Sequence, residues 1–222
     1  MIKLLTRAAT AASLAALPLT LATPATAAQA AETLPLAEAV ASLPLATESR
    51  TGYQRTSFRH WNAGAVADDG CNTRAEVLLA EATEAPRVLP GCQLIGGRWW
   101  SYYDRTWVTP SGLLDIDHMV PLAEAWDSGA SQWTHKRREA YANDLGSPTS
   151  LVAVTARSNR SKADQDPSEW LPPAQEVHCQ YAAEWTATKL RWSLSLDPTE
   201  RQSLTTLATA CPTTTVTYEP AP

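Results

Sequence analysis

Two short apolar segments, and the helical patterns around them, constrain the fold of this chain most. In LLDIDH (residues 113–118) apolar and acidic residues alternate, which is typical of a half-buried strand. SLVAV (150–154) follows a Gly/Ser/Pro turn and predicts a second short strand. Between them, residues 121–130 and 133–144 have helical patterns, and a further helix or tight turn begins at residue 157. We therefore expect a mixed α+β domain with few strands.

Three other segments predict regular structure. CNTRAEVLLAEA (71–82) predicts a helix capped by Asn72 or Thr73. GGRWWSYYDRTWVT (96–109) opens with a glycine pair, is rich in aromatic residues, and predicts strands of a hairpin. CQYAAEWTATKLRW (179–192) predicts an amphipathic helix. The nine tryptophans of the chain supply much of the apolar area that a core needs.

The first thirty residues resemble a secretory signal peptide. Lys3 and Arg7 precede an uncharged Ala/Leu/Thr stretch, and small residues follow Pro24. The apolar stretch is short for a membrane span. We therefore expect residues 1–30 to be removed on secretion and the protein to be extracellular.

The remaining chain divides into three predicted parts. Residues 31–51 are expected to form a linker with one or two helical turns, and residues 212–222 a Thr/Pro-rich tail without a packing pattern. The domain itself is expected to span residues 52–211. A domain of about 160 residues is long enough to bury a core without special help.

Four cysteines in a secreted chain predict two disulfides, for which three pairings are possible. We favour Cys71 with Cys92 and Cys179 with Cys211, because each closes a short loop, worth about 3 kcal/mol on the chain-entropy model. A structural zinc site is the alternative. It is disfavoured because the chain has no C-x-x-C pair.

The net charge argues against general nucleic-acid binding over the whole surface. The formal charge is −5, and loss of Lys3 and Arg7 with the signal peptide changes it to −7. Phosphate contacts require cations, so any nucleic-acid site must be a local basic patch. Nothing in the sequence requires a membrane or a protein partner, and we expect a monomer.

The residues that carry chemistry lie between 113 and 162. The first strand ends in Asp117 and His118, and the turn after the second strand leads to Asn159, with Lys162 three residues later. Carboxylate and amide oxygens suit a hard divalent ion such as Mg²⁺. The ordinary pKa of a histidine suits a general base at neutral pH. Asp115 is either a carboxylate that supports this site or a surface charge.

At these residues the sequence resembles a known family. DIDHMVPLAEAW, YANDL, LVAV and NRSKADQDPSEWLPP resemble HNH endonucleases of the ββα-metal type. More narrowly, they resemble a secreted actinobacterial group related to the C-terminal domain of GmrSD-type restriction enzymes. GYQRTSFRHW and CNTRAEVLL also resemble blocks of that group, so the resemblance covers residues 52–211. It implies an α+β fold with a ββα-metal (HNH-like) core, additional helices and a small sheet, stapled by disulfides.

Carried over by position, the family's general base falls on His118 and its metal ligands on Asp117 and Asn159. Many HNH proteins have an asparagine before the second strand that orients the base, whereas this chain has Ser150 there. Asn143 in YANDL is the candidate to orient the base instead, and the sequence leaves the choice open. The final histidine of the HNH pattern is replaced by Asn159, which keeps an oxygen ligand.

Candidates for substrate binding are Lys162, Arg160 and Arg74. Lys162 either neutralises a phosphate or is a surface lysine, and Arg74 either pairs with a carboxylate or contacts a phosphate. The resemblance implies a secreted metal-dependent endonuclease that hydrolyses DNA, with RNA as a further substrate and Mg²⁺ as the cofactor. The alternative is a secreted nucleic-acid-binding module that has the fold but no activity.

The strand itself yields a geometric prediction. If LLDIDH is a regular strand, Asp115 and Asp117 lie on one face, and Ile116 and His118 on the other. A metal ligand and a base that act on one phosphate then require a bend or bulge near His118.

Overall fold

The computed structural model describes residues 30–66 and 68–222. The predicted signal peptide, residues 1–30, lies outside the described residues apart from Ala30. The described chain has eight strands: β1 (Glu32–Pro35), β2 (Arg87–Leu89), β3 (Gln93–Ile95), β4 (Trp99–Ser101), β5 (Thr106–Val108), β6 (Leu114–His118), β7 (Leu151–Thr155) and β8 (Thr215–Tyr218). It has seven α-helices: α1 (Leu36–Ser42), α2 (Thr73–Glu81), α3 (Leu122–Asp127), α4 (His135–Ala142), α5 (Ala156–Lys162), α6 (His178–Trp192) and α7 (Pro198–Ala210). The mixed α and β class expected from the sequence is confirmed.

The strands pair only two by two, as β1–β8, β2–β3, β4–β5 and β6–β7, and all four pairs are antiparallel. The predicted hairpin is β4–β5, and the predicted helix at 71–82 is α2, capped by the Asn72 side chain. The two strands that carry the site, β6 and β7, pair in register from Leu114 with Thr155 to His118 with Leu151. Helix α5 starts directly after β7 and packs against both strands. Strand, strand and helix therefore form one small unit that holds the candidate residues.

Two apolar clusters surround this unit. The larger one is built from α1, α3, α4, α6 and α7 and contains the fully buried Trp185 and Trp192. The smaller one lies between α2, β4 and the β6–β7 pair and contains the buried Trp99. The strand pair is thus covered by apolar side chains from both clusters, which fixes its register because a one-residue slip would expose a whole apolar face.

The segments predicted as linker and tail both contain packed structure in the described residues. Helix α1 follows β1 and buries Leu36, Ala39 and Val40 in the large cluster. Strand β8 pairs with β1 along its whole length and buries Val216. The packed unit therefore extends beyond residues 52–211 on both sides. Each terminal segment is too short to show a clear pattern, and each is stabilised by the other.

Both favoured disulfides are confirmed, Cys71–Cys92 and Cys179–Cys211, with Cα–Cα distances of 4.9 and 5.6 Å. All four cysteines are used, so the zinc alternative is wrong. Cys179 lies near the start of α6 and Cys211 follows α7, so the second disulfide joins the two long helices. Across the described residues, no helix combines the length and apolar character that a membrane crossing requires.

Candidate active site

A cavity of about 400 Å³ lies at the end of β6. Its walls come from the end of that strand, from the start of α3, from α5 and the residues after it, and from the N-terminal segment around residue 55. The lining residues include Asp117, His118, Asn159, Arg160 and Arg55. The base and both metal ligands predicted from the sequence therefore share one cavity.

Asp117 is almost completely buried, with 4% of its surface exposed. Its Oδ2 accepts hydrogen bonds from the Tyr103 hydroxyl at 2.6 Å and from Lys162 Nζ at 2.5 Å. Burial raises the pKa of Asp117, and the Lys162 ammonium opposes that shift. Both bonds end on Oδ2, and no described residue donates to Oδ1. This second oxygen is therefore the one that can face a ligand in the cavity.

His118 is held in one tautomer by the backbone. Its Nε2 lies 3.0 Å from the carbonyl oxygen of Ala142. A carbonyl oxygen can only accept, so Nε2 carries the proton and Nδ1 has the free lone pair. Burial lowers the pKa of His118 to about 3, so the ring is neutral at neutral pH. A neutral imidazole with a fixed tautomer is able to accept a proton at Nδ1.

Aromatic rings surround His118 and restrict its orientation. The Trp61 ring lies 5.7 Å from it and the Tyr141 ring 6.3 Å, measured between centroids. The His60 ring lies at 6.3 Å and is perpendicular to it. His60 is in turn bound through Nδ1 to the Phe58 carbonyl at 2.8 Å. Packing therefore supports the ring orientation that the Ala142 carbonyl sets.

Asn159 is oriented by Asp115. The Asn159 Nδ2 donates to Asp115 Oδ2 at 3.2 Å, which leaves the amide oxygen for another partner. The same Asp115 oxygen accepts from Arg160 Nε at 3.3 Å. Of the two roles considered for Asp115, the structure favours the supporting carboxylate. Asn159 Oδ1 and Asp117 Oδ1 are thus the oxygens whose chemistry fits a hard divalent ion.

Strand β6 has no bulge, but the chain bends directly after it, at Met119 and Val120. The β6–β7 register is regular through His118, with no bulge between Leu114 and His118. Asp117 points toward Tyr103 and Lys162, whereas His118 points toward Trp61 and Tyr141. Both still line the same cavity, because the cavity lies across the end of the strand. Of the two predicted alternatives, the bend near His118 is present at the end of the strand and the bulge is absent.

Asn143 does not orient the base. Its Oδ1 accepts from the Asn62 amide and the Thr73 hydroxyl, both at 2.9 Å, and its Nδ2 donates to the carbonyls of Arg59 and Glu139. Ser150 is not the orienting residue either, since its hydroxyl donates to Asp144 at 2.6 Å. Asn143 ends α4 and holds the N-terminal segment. His118 is oriented instead by the backbone carbonyl of Ala142, which no side-chain motif can reveal.

Two of the three predicted substrate-binding residues are structural. Lys162 is fully buried, and its Nζ donates to Asp117 Oδ2 and to the carbonyls of His118 and Met119. Arg74 does not line the cavity and donates to the carbonyl of Leu114 at 3.0 Å. Arg160 lines the cavity with 76% of its side chain exposed, so it alone of the three is placed to contact a substrate.

Sequence reasoning missed the N-terminal wall of the cavity. Tyr53 and Arg55 line it, and Trp61 packs against the base. These residues lie in GYQRTSFRHW, which the resemblance included without giving a role to any of them. Because these residues lie far from Asp117 in the chain, the sequence does not show that they share its cavity.

Two comparisons with known proteins find relatives of this chain. The model of the family described as GmrSD restriction endonucleases, C-terminal domain, matches residues 72–206, more than half of the chain. An uncharacterized secreted protein of Arthroderma benhamiae (strain ATCC MYA-4681 / CBS 112371) is 40% identical over 160 residues, 72% of this chain and 76% of the relative. No solved structure matches the chain. The chain belongs to the family of GmrSD restriction endonuclease C-terminal domains, and this family suggests a nuclease-related function and a nucleic-acid substrate.

Proposed function

We propose that the protein is a secreted, metal-dependent endonuclease of the HNH type that hydrolyses phosphodiester bonds of DNA. The observation that carries the proposal is the meeting of Asp117, His118 and Asn159 at one cavity, with the tautomer of His118 fixed by a backbone carbonyl. Family membership supports the nuclease class. The β6–β7–α5 unit is the counterpart of a ββα-metal core in this proposal.

The division of labour follows from the contacts. His118 Nδ1 accepts the proton of the water molecule that attacks the phosphorus. Asp117 and Asn159 would hold a divalent ion through their Oδ1 atoms. We propose Mg²⁺, because this ion prefers oxygen ligands. The chemistry that such an ion supplies when bound is stabilisation of negative charge on the phosphate and its leaving oxygen.

Three neighbouring residues keep the ligands in place. Lys162 and Tyr103 hold Asp117 through Oδ2, and Asp115 holds the Asn159 amide. Contacts of this kind fix the ligand geometry, and their loss typically costs about 10–100-fold in metal affinity or activity.

Secretion is part of the proposal for three reasons. Residues 1–30 resemble a signal peptide, and the two disulfides suit an oxidising compartment. The relative from Arthroderma benhamiae is described as secreted. Fractionation of a culture that expresses the full chain checks this, since protein found only inside the cells would contradict secretion.

The test of function is cleavage of supercoiled plasmid DNA by the purified mature protein, with MgCl₂ and with EDTA. We expect cleavage that EDTA abolishes, and a loss of about 10²–10⁴-fold in His118→Ala, the usual contribution of a general base. His178→Ala is the matched control, because His178 does not line the cavity and its Nε2 donates to the Pro172 carbonyl. Thermal melting of both variants establishes that they are folded.

Two results contradict the mechanism: equal cleavage by His118→Ala and wild type, or cleavage that is indifferent to EDTA. No cleavage with any divalent ion, together with salt-sensitive binding of DNA, identifies the protein instead as the non-catalytic binding module.

A further inference from the structure

Arg55 differs from the other arginines of its segment in having no acidic partner. Arg50 pairs with Asp127 and Asp164, and Arg59 lies 3.6 Å from Glu139. Arg55 forms no salt bridge with any carboxylate in residues 30–66 and 68–222. It is exposed, and it lines the cavity that contains His118 and Asn159.

The backbone that presents Arg55 is firmly held. Arg55 begins a short 3-10 helix, Arg55–Ser57, and the next residue, Phe58, is completely buried. The buried guanidinium of Arg138 donates to the Ser57 carbonyl at 3.2 Å and also to the Ala130 carbonyl. A mobile surface arginine loses much side-chain and backbone entropy when it binds a ligand. Arg55 stands on a segment whose backbone is already fixed, so part of that cost is removed.

The cavity thus has an arginine on each of two walls. Arg160 is on α5 and is tied through Nε to Asp115, while Arg55 is on the N-terminal segment. Of the acids that line the cavity, Asp164 is paired with Arg50 and Asp117 with Lys162. The two guanidinium groups are therefore the cations that remain for an anionic ligand among the lining residues. Arginine binds phosphate in bidentate geometry, which lysine does not reproduce.

Resting on the proposed nuclease function, we propose that Arg55 is a substrate-binding residue that contacts a phosphate of the nucleic acid, opposite Arg160. It lies before residue 72, so the family match over residues 72–206 does not include it. The N-terminal wall then contributes to recognition of the phosphodiester, in addition to supporting the packing of the base. Arg55 is exposed, so we expect its substitution to affect the substrate more than the fold.

The experiment compares Arg55→Ala, Arg55→Lys and the matched control Arg59→Ala in the mature protein. Arg59 lies four positions further along the same segment, has 78% of its side chain exposed and does not line the cavity, so its substitution makes the same charge change. Cleavage of a duplex oligonucleotide with Mg²⁺ gives kcat and KM. Binding of the same duplex with Ca²⁺ in place of Mg²⁺, over a range of salt concentrations, gives the number of phosphate contacts.

We expect Arg55→Ala to lower kcat/KM by about 10–100-fold and to reduce the slope of log K against log salt by about 1. Arg55→Lys restores the salt slope but not the full kcat/KM, and Arg59→Ala stays within about twofold of wild type. The melting temperature of Arg55→Ala remains that of wild type, because the side chain is exposed.

Equal kinetics and equal salt slopes for Arg55→Ala and Arg59→Ala overturn the assignment of Arg55 while the nuclease proposal stands. If the wild type binds the duplex but does not cleave it, the nuclease proposal falls, and the difference in salt slope still decides the role of Arg55. If the wild type neither cleaves nor binds, both proposals fall.

Discussion

Lys162 and Lys189 are both completely buried, yet their surroundings differ in charge. Lys162 has one carboxylate partner, Asp117, and burial lowers the pKa of this lysine in spite of that partner. Lys189 lies between two, Glu124 at 2.7 Å and Glu200 at 2.6 Å. Burial alone would lower the pKa of Lys189, but the two carboxylates outweigh burial and raise it.

The number of carboxylate partners distinguishes Lys162, at the candidate site, from Lys189, in the structural core. Lys189 Nζ also donates to the Ser128 hydroxyl and the Ser195 carbonyl. The partners of Lys189 therefore bond within the core. At the cavity, Lys162 takes only one oxygen of Asp117, and the other oxygen remains for a ligand. A buried lysine with one acid therefore positions that acid, whereas a buried lysine with two acids mainly joins helices α3, α6 and α7.

The largest expected effect is on stability, from Lys189→Met. This substitution leaves two buried carboxylates without their cation, and breaking such a group typically costs about 3–5 kcal/mol. Urea unfolding followed by circular dichroism measures the loss. The exposed Lys136→Met is the control, and Glu124→Gln with Glu200→Gln added to Lys189→Met should recover part of the loss. A loss under about 1 kcal/mol would mean that Lys189 does not join the helices through charge.

Lys162→Met sharpens the comparison, because we expect its main effect on activity. Asp117 loses the bond that positions it, so the Mg²⁺ concentration for half-maximal cleavage should rise by about 10–100-fold. The loss of stability should be about 1–3 kcal/mol, less than for Lys189→Met, because only one carboxylate is left without its cation. Titration of cleavage against MgCl₂ and urea unfolding give the two values. If stability falls as far as in Lys189→Met and Mg²⁺ dependence is unchanged, Lys162 is purely structural.

The smallest expected effect is on the pH dependence of stability, and it comes from the carboxyl groups around Lys189. Burial, with the charges of Glu124, Asp197 and Glu200, raises the pKa of Glu48 to about 8, and Lys189 opposes this. Between its ordinary value of 4.5 and about 8, the folded state holds a proton that the unfolded chain has released. This contribution to stability is therefore present at low pH and is lost as the pH rises toward 8.

Glu48→Gln should flatten the fall of stability between pH 5 and pH 8, measured by urea unfolding at several pH values. Some fall remains, because the pKa of Glu200 is also raised, to about 7, and has the same sign. Glu38→Gln, at an exposed position on α1, is the control and should keep the wild-type slope. A slope that is identical in Glu48→Gln and wild type would contradict the assignment to Glu48.

The features that the sequence predicted correctly are those set by residues close together in the chain. Helix α2, the hairpin β4–β5 and the strand β6 follow local periodicity and capping, and they lie where the patterns indicated. The packing of β1, α1 and β8 was missed, because β1 pairs with β8 across 180 residues of chain and β8 packs against the distant helix α6. At the site, Asp117, His118 and Asn159 were predicted to lie together. Lys162, Arg74 and Asn143 were singled out without their hydrogen-bond partners, which only the structure shows.

The sequence by itself determined which residue types can carry the chemistry. An acid and an amide offer oxygen ligands, and a histidine offers a nitrogen that can accept a proton. It also indicated the two strands of the site and favoured the disulfide pairing that the structure has. Only the tertiary structure decided that the Ala142 carbonyl fixes the tautomer of His118 and that Lys162 is buried under Asp117. It also decided that Arg55 faces the same cavity as Asn159. These contacts join residues far apart in the chain, several through backbone atoms common to every residue, so no local pattern contains them.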